Sequence, residues 1–379
     1  MNYETYFPRG IATGSAFCNR KNERKRLAGN IKSGQHTLIM SPRRYGKTSL
    51  VLYVASEIDI PFGESDLFIA VDAKKIEQGI ISGIKKIIAN IGTPVEQVLE
   101  ILRNYFRDKS PRWVIGTQGF DIALVSDPNS DPATNILEAL QALDDLLQKK
   151  NKRAILFLDE MQEIGEVAEG SGIEGAIRHV AQKTKHLSFV FSGSNRHLLA
   201  KMFYDKARPL YKLCDRIVLD RIDKNEYASH IDELALQQCG NRIDSAVLGT
   251  IFELTELHPY YVNNLCLNLW RFGINNDVKP EDVVNCWHKM IQEERSETLR
   301  ELSALSIGQR KVLNVIATGQ TAGLTSKKTL RELDLSGSTV MEAIKVLEQK
   351  DYIEDQGGSL YKIIDPLIKT TLVFYMINS

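Results

Sequence analysis

The sequence predicts an α/β fold: a mainly parallel sheet dressed with helices, followed by a helical bundle, and closed by three helices and a hairpin. Three observations lead there. Short apolar runs alternate with helical stripes between Gly34 and about Leu219, the pattern of successive βα units. One run, residues 154–158 (Ala-Ile-Leu-Phe-Leu), is apolar throughout, as a strand covered on both faces must be. From Lys224 onward the spacing turns helical and stays so until a Gly-Gly pair near the C-terminus.

Taken in order, residues 36–40 read as a short apolar strand, followed by a loop and a helical pattern over 50–57. Residues 67–71 (Leu-Phe-Ile-Ala-Val) read as a second strand, and 80–91 carry helical apolar spacing. The stretch 120–125 fits a strand or a buried loop equally, and 126–133, rich in Asp, Pro and Ser, reads as an exposed connection. A helical stripe covers 136–147; the strand 154–158 ends in Asp159-Glu160, and a strand at 189–191 ends in Ser192-Gly193-Ser194. Helices over 226–238, 245–257, 260–270 and 281–302 suffice for a small bundle. Helices over 308–317, 327–333 and 338–349, then short strands flanking Gln356-Gly357-Gly358, outline a winged helix. The expected division is 1–222, 223–302 and 303–379.

Composition narrows the function classes. The chain has 379 residues, with 48 Lys plus Arg against 48 Asp plus Glu, so no global field drives it toward nucleic acid or an acidic membrane. Its five cysteines, Cys18, Cys214, Cys239, Cys266 and Cys286, form no C-x-x-C pair and read as buried thiols. No apolar run approaches the roughly 20 residues of a membrane span, and no basic patch with an apolar run opens the sequence. A cytoplasmic protein without a membrane partner is the expectation.

Chemistry concentrates at two strand ends. Ser41-Pro42-Arg43-Arg44-Tyr45-Gly46-Lys47-Thr48 fits the phosphate-binding pattern G-x-x-x-x-G-K-[ST] except for Ser41 in place of the first glycine; Ser49 follows. Backbone N–H groups around Gly46 and the helix start can wrap phosphate oxygens, because unpaired donors and the helix dipole favour an anion. Lys47 would meet the β- and γ-phosphates of ATP, and Thr48 would coordinate Mg²⁺. About 110 residues later, Asp159 supplies an acidic partner for the metal, and Glu160 a carboxylate that can orient or deprotonate water.

Further segments carry a resemblance. Phe17-Cys18-Asn19-Arg20 with Glu23 and Leu27 is similar to a motif F-x-G-R-x-x-E-x-x-L, with Asn19 at its glycine; residues 41–50 resemble G-P-R-R-x-G-K-T-S-L. Both belong to the archaeal-type ATPase family of AAA+ proteins, related to origin-recognition and STAND ATPases, and the match covers nearly the whole chain. The resemblance implies a P-loop NTPase of the AAA+/ASCE class with a helical lid and a C-terminal winged helix, using ATP and Mg²⁺. It also implies that Ser194, ending the sensor-1 strand, lies near the γ-phosphate. Pro259, in His258-Pro259-Tyr260-Tyr261, would pack near the adenine or phosphates, although a proline at a helix start explains the same residues. Arg208-Pro209-Leu210-Tyr211 resembles a P-L-Y-G-R stretch, but Lys212-Leu213 replaces Gly-Arg, leaving Arg208 and Arg216 as weak arginine-finger candidates. Asp365-Pro366-Leu367 resembles the D-P motif closing the terminal winged helix.

The partners follow the same logic. Residues 303–379 hold nine Lys or Arg against eight Asp or Glu, too balanced for strong counterion release, so a protein partner or a homo-oligomer suits the winged helix as well as DNA. The leading expectation is a slow ATPase acting as a conformational switch that repositions the winged helix. The alternative is a winged-helix DNA-binding or regulatory protein whose nucleotide is structural and barely hydrolysed; a small-molecule kinase ranks lower, because Asp159-Glu160 favours water as acceptor.

Overall fold

Five parallel strands carry the first half of the chain in the computed structural model, which describes residues 3–91, 112–115, 122–125, 131–240, 242–271 and 278–377. The chain groups into two compact units: Arg20–Arg43 with Lys47–Leu219, and Met1–Asn19 with Arg44–Gly46 and Asp220–Ser379.

The sheet unit contains β1 (Thr37–Met40), β2 (Phe62–Asp66), β5 (Ala154–Asp159), β6 (Leu187–Gly193) and β7 (Asp215–Val218), in the order β2-β5-β6-β1-β7. Between β2 and β5 in sequence come β3 (Arg112–Ile115) and β4 (Ile122–Val125), a separate antiparallel pair. Helices α1 (Lys21–Ser33), α2 (Lys47–Ile58), α3 (Ala73–Asn90), α4 (Pro132–Lys149), α5 (Gln162–Val167), α6 (Ile173–Ala181) and α7 (Arg196–Tyr204) complete the unit. Every residue of β1, β5 and β6 is buried, which explains their unbroken apolar runs. Asp72, Asp131 and Asn195 cap α3, α4 and α7 by accepting from the backbone N–H of Lys75, Thr134 and Leu198.

The strand expected at 67–71 lies elsewhere. The second strand is Phe62–Asp66, paired with β5 from Phe62↔Ile155 to Asp66↔Asp159, and 67–71 turns away from the sheet. β5 ends at Asp159, and Glu160 then adopts φ 51°, so the ladder has no partner beyond the Leu67 N–H, which donates to Asp159 O at 3.1 Å. The weakly apolar run Phe62-Gly-Glu-Ser-Asp was overlooked because its pairing decides it, not its hydrophobicity. Gly63 lets α3 pack closely on that strand: a Cβ there would meet Gly83 O of α3 at 2.1 Å. The expected strand or loop at 120–125 is β4 over Ile122–Val125, while residues 120–121 and most of 126–133 lie outside the described residues.

The other unit packs α8 (Lys224–Cys239), α9 (Ser245–Thr255), α10 (Pro259–Arg271) and α11 (Pro280–Ser303) around buried Tyr227, Ile251, Tyr261, Trp270 and Trp287. Next come α12 (Ile307–Ala317), α13 (Lys327–Leu333) and α14 (Gly337–Gln349), then the antiparallel pair β8 (Ile353–Asp355) and β9 (Tyr361–Ile363), and α15 (Pro366–Ile377). This three-helix and hairpin order is the one the sequence suggested. Gly357 (φ 105°) and Gly358 (φ 68°) make the turn, a conformation that side chains with a Cβ resist. Leu313, Ile316, Val340, Leu347 and Ile353 form a core of their own there. Among the described residues, no helix is long and apolar enough to cross a membrane.

Candidate functional site

The strand order sets the site. β6 lies between β1 and β5, so the C-terminal end of β1, where the Ser41 loop begins, is separated from Asp159 by the strand that ends in Ser192 and Gly193. Parallel strands present their C-terminal ends on one side of a sheet, and ligands gather there. The three segments singled out in the sequence therefore share that edge.

Side-chain geometry knits them together. Thr48, in the first turn of α2, donates its hydroxyl to Asp159 Oδ2 at 2.7 Å. Asp159 Oδ1 accepts from the Glu160 N–H at 3.0 Å and from the Ser192 hydroxyl. Glu160 Oε2 accepts from the Ser194 N–H at 3.1 Å, the Ser194 hydroxyl at 2.8 Å and Gln162 Nε2 at 2.5 Å. Burial works against the Glu160 charge, yet the Gln162 amide, the Lys47 ammonium and the Ser194 donors outweigh it, so its pKa falls below the ordinary carboxylate value. The left-handed backbone of Glu160 costs on the order of 1 kcal/mol for a residue with a Cβ, and three side-chain hydrogen bonds fix it there.

Lys47 is buried and donates to Ser41 O and Pro42 O, both at 3.2 Å, so its ammonium lies inside the curl of its own loop. Ser41 occupies the first glycine position without a positive φ and without strain; its hydroxyl donates to Pro42 O at 3.1 Å. The left-handed positions fall instead at Arg44 (φ 65°) and Gly46 (φ 87°), the alternation that turns successive N–H groups toward an anion. Asn19, at the other substituted glycine, does adopt φ 37°, which asparagine tolerates better than most residues. Arg43, solvent-facing, donates from Nε to Ser194 Oγ at 3.3 Å. Ser49 follows Thr48 in α2 and is buried.

Arg44, Tyr45 and Gly46 group with the helical unit. There the Arg44 guanidinium sits 4.2 Å from the Tyr260 ring centre, and the Tyr45 ring meets His258 edge-on at 4.9 Å. Pro259, between those partners, is buried at the first position of α10. Burial, then the Arg221 and Arg44 charges, push His258 down to about 3, so it is neutral at ordinary pH. In the same unit Glu256 pairs with Arg221 at 2.9 Å, Lys362 at 2.9 Å and Lys369 at 2.6 Å, and Tyr261 donates to Asp365 at 2.6 Å. Asp365 also accepts from the Leu367 and Ile368 N–H groups that start α15, which gives the Asp365-Pro366 motif its structural role.

Two residues were missed in the sequence. Ser192 and Gln162 hold Asp159 and Glu160, and only the adjacency of β5 and β6 reveals it. Gly193 makes room: a Cβ there would lie 2.0 Å from Gln162 Oε1. The weak finger candidates are otherwise engaged. Arg208 is clamped by Glu169 and Glu174, and Arg216 lies over the Tyr204 ring. In the basic stretch near the N-terminus, Arg24 pairs with Glu57 at 2.6 Å and Arg26 with Asp215, as a charged helix face does.

A hydroxyl and a carboxylate already in contact are hard oxygen donors, the kind Mg²⁺ accepts. Mg²⁺ is commonly held by one or two protein groups plus phosphates rather than by a full protein cage. Among the described residues, no cluster of three or more His, Cys, Asp or Glu that could hold a metal ion occurs. The donor set fits.

Fold and strand-end loop together define the parallel α/β sheet of a P-loop NTPase. The chain is similar over its whole length to a Walker-type ATPase of Pyrococcus abyssi, with a TM-score of 0.70 at 17% identity, covering 97% of this chain and 99% of that one. It is similar also to the ORC2 protein of Aeropyrum pernix in ADPNP–ADP complexes (TM-score 0.59, 14% identity, 99% and 98% covered) and in its ADP form (0.52, 14%, 94% and 93%). No protein-family model matches the chain, and none of the curated proteins does.

Proposed function

We propose that the protein binds ATP with Mg²⁺ at the Ser41 to Ser49 loop and hydrolyses it slowly to ADP and phosphate, as a conformational switch. The observation that carries this reading is the Thr48–Asp159 hydrogen bond beside a pinned Glu160. Two oxygen donors for one cation and one carboxylate for one water are thereby brought to the same strand ends.

In this mechanism the loop N–H groups and Lys47 hold the β- and γ-phosphates; on nucleotide binding Lys47 exchanges its two carbonyl acceptors for phosphate oxygens. Thr48 and Asp159 would hold the Mg²⁺, which supplies charge neutralisation of the phosphates when bound. Glu160 orients a water whose oxygen attacks the γ-phosphorus. The bond to the β–γ bridging oxygen breaks, ADP takes that electron pair, and the water proton passes to the carboxylate. With its pKa depressed, Glu160 is ionised but a weak base, and the negative charge of an approaching triphosphate raises it toward usefulness. Ser194 and Gln162 keep it aimed.

The switch would run through the same loop. Arg44 and Tyr45 pack on Tyr260 and His258 at the start of α10, and Arg221, Glu256 and Tyr261 tie that region to β9 and α15. Movement of the loop on nucleotide exchange is thus passed to the C-terminal helices, and division at 222 and 302 separates motor, lid and winged helix. A cytoplasmic location and a protein or self-associating partner, with DNA second, belong to the same proposal.

Titration calorimetry with a non-hydrolysable ATP analogue tests it. Wild type is expected to bind with Mg²⁺-dependent heat and Lys47→Ala about 10- to 100-fold more weakly, the worth of a charge-assisted hydrogen-bond pair. Equal affinities would end the proposal.

A further inference from the structure

We infer that Arg43 is a further catalytic residue: it contacts the γ-phosphate of the nucleotide bound to its own loop, doing in cis what an arginine finger does from a neighbour. This rests on the ATPase reading above and adds to it the residue that stabilises the charge of the transition state.

Position argues first. Arg43 belongs to the proposed phosphate loop itself, three residues after β1 ends at Met40, and its Nε donates to Ser194 Oγ at 3.3 Å. The same hydroxyl donates to Glu160 Oε2 at 2.8 Å. Arginine, serine and base therefore lie on one hydrogen-bonded chain, which sets the guanidinium beside the water that Glu160 would aim. A group anchored both in the loop that binds the phosphates and against the base carboxylate has the γ-phosphate as its natural neighbour.

Availability argues second. Among the described residues, neither Nη nitrogen of Arg43 has a hydrogen-bond partner, although the Glu163 carboxylate lies near enough to feel its charge. The guanidinium is steadied on its other side by Phe68, whose ring centre is 5.8 Å away. Phe68 is 56% exposed, so the arginine is guided without being buried. Two free Nη groups in one plane match two phosphate oxygens, a geometry lysine cannot copy. The other arginines considered for this role are engaged elsewhere: Arg208 with two glutamates, Arg216 over the Tyr204 ring.

Arg43→Ala and Arg43→Lys, compared with wild type, test the inference by three readings. ADP affinity is expected to stay within about twofold, because ADP lacks the contacted group; affinity for a non-hydrolysable ATP analogue falls about tenfold or more, and turnover at saturation about 100-fold or more. Arg43→Lys recovers only a small part, and added guanidinium ion restores turnover to Arg43→Ala. Turnover per chain in wild type is expected to hold constant through a dilution series, as an internal arginine requires. Equal losses of ADP and analogue affinity, unchanged turnover in Arg43→Ala, or wild-type turnover that rises with protein concentration would each overturn it. If instead wild type binds no triphosphate, or Lys47→Ala binds as well as wild type, the ATPase reading itself has failed.

Discussion

Glu160 and Glu256 are two glutamates in nearly the same backbone conformation, φ 51° and φ 47°, each ending a regular element, each partly buried and each with a depressed pKa. Their partners separate them. Glu160 is held by a serine, an amide and a backbone N–H; Glu256 is held by Arg221, Lys362 and Lys369. Burial opposes the Glu256 charge, but hydrogen bonds and charge from Lys369 and Lys362 overcome it and bring the pKa to about 2. Neutral donors fix a carboxylate's direction while leaving its charge available to a reaction. Three cations consume the charge, and what remains is a structural joint.

The contrast can be broken at each end. The largest effect is expected from Glu160→Gln, which should keep ATP binding near the wild-type value and lower turnover about 100- to 1,000-fold in a phosphate-release assay. A residual rate equal to wild type would remove the base from the mechanism. Gly193→Ala comes next. Its Cβ would displace Gln162 from Glu160, so turnover should fall about tenfold with ADP affinity unchanged, a purely directional loss.

Glu256→Gln should do the reverse, leaving the chemistry at saturation nearly intact and lowering stability by about 1–3 kcal/mol, because three cations lose their counter-charge in a partly exposed setting. The sign with pH follows from the depressed pKa. The contribution of Glu256 is complete above the ordinary carboxylate value near 4.5 and disappears as pH falls toward about 2. Thermal melts of wild type and Glu256→Gln should therefore differ most near neutrality and converge in acid. Coincident melts at pH 7 would show that the cluster carries no stability.

Much of this was legible from residues alone. The runs at β1, β5 and β6 are buried on both faces, so their apolar content is dictated by position and can be read back. That Thr48 and Asp159 would meet was legible, because a strand–loop–helix pattern and an acidic strand end restrict residue type at fixed places. The strand Phe62–Asp66 was not, since a glycine and three polar residues form it only by pairing with β5. The clamping of Arg208 was hidden for a similar reason: a free arginine and one held by Glu169 and Glu174 look alike in a sequence.

From its order of residues alone, the chain specifies a glycine-lysine loop after a buried strand, an acidic strand end, alternating sheet and helix units, and a helical tail with a hairpin. Local propensity and hydrophobic period encode such features within a few turns of chain. Folding in three dimensions decided which hydroxyls serve those carboxylates, which arginines remain unpaired and which glutamate is neutralised. Those outcomes depend on strands β1, β5 and β6 lying side by side, and on contacts between residues more than a hundred positions apart that no local pattern records.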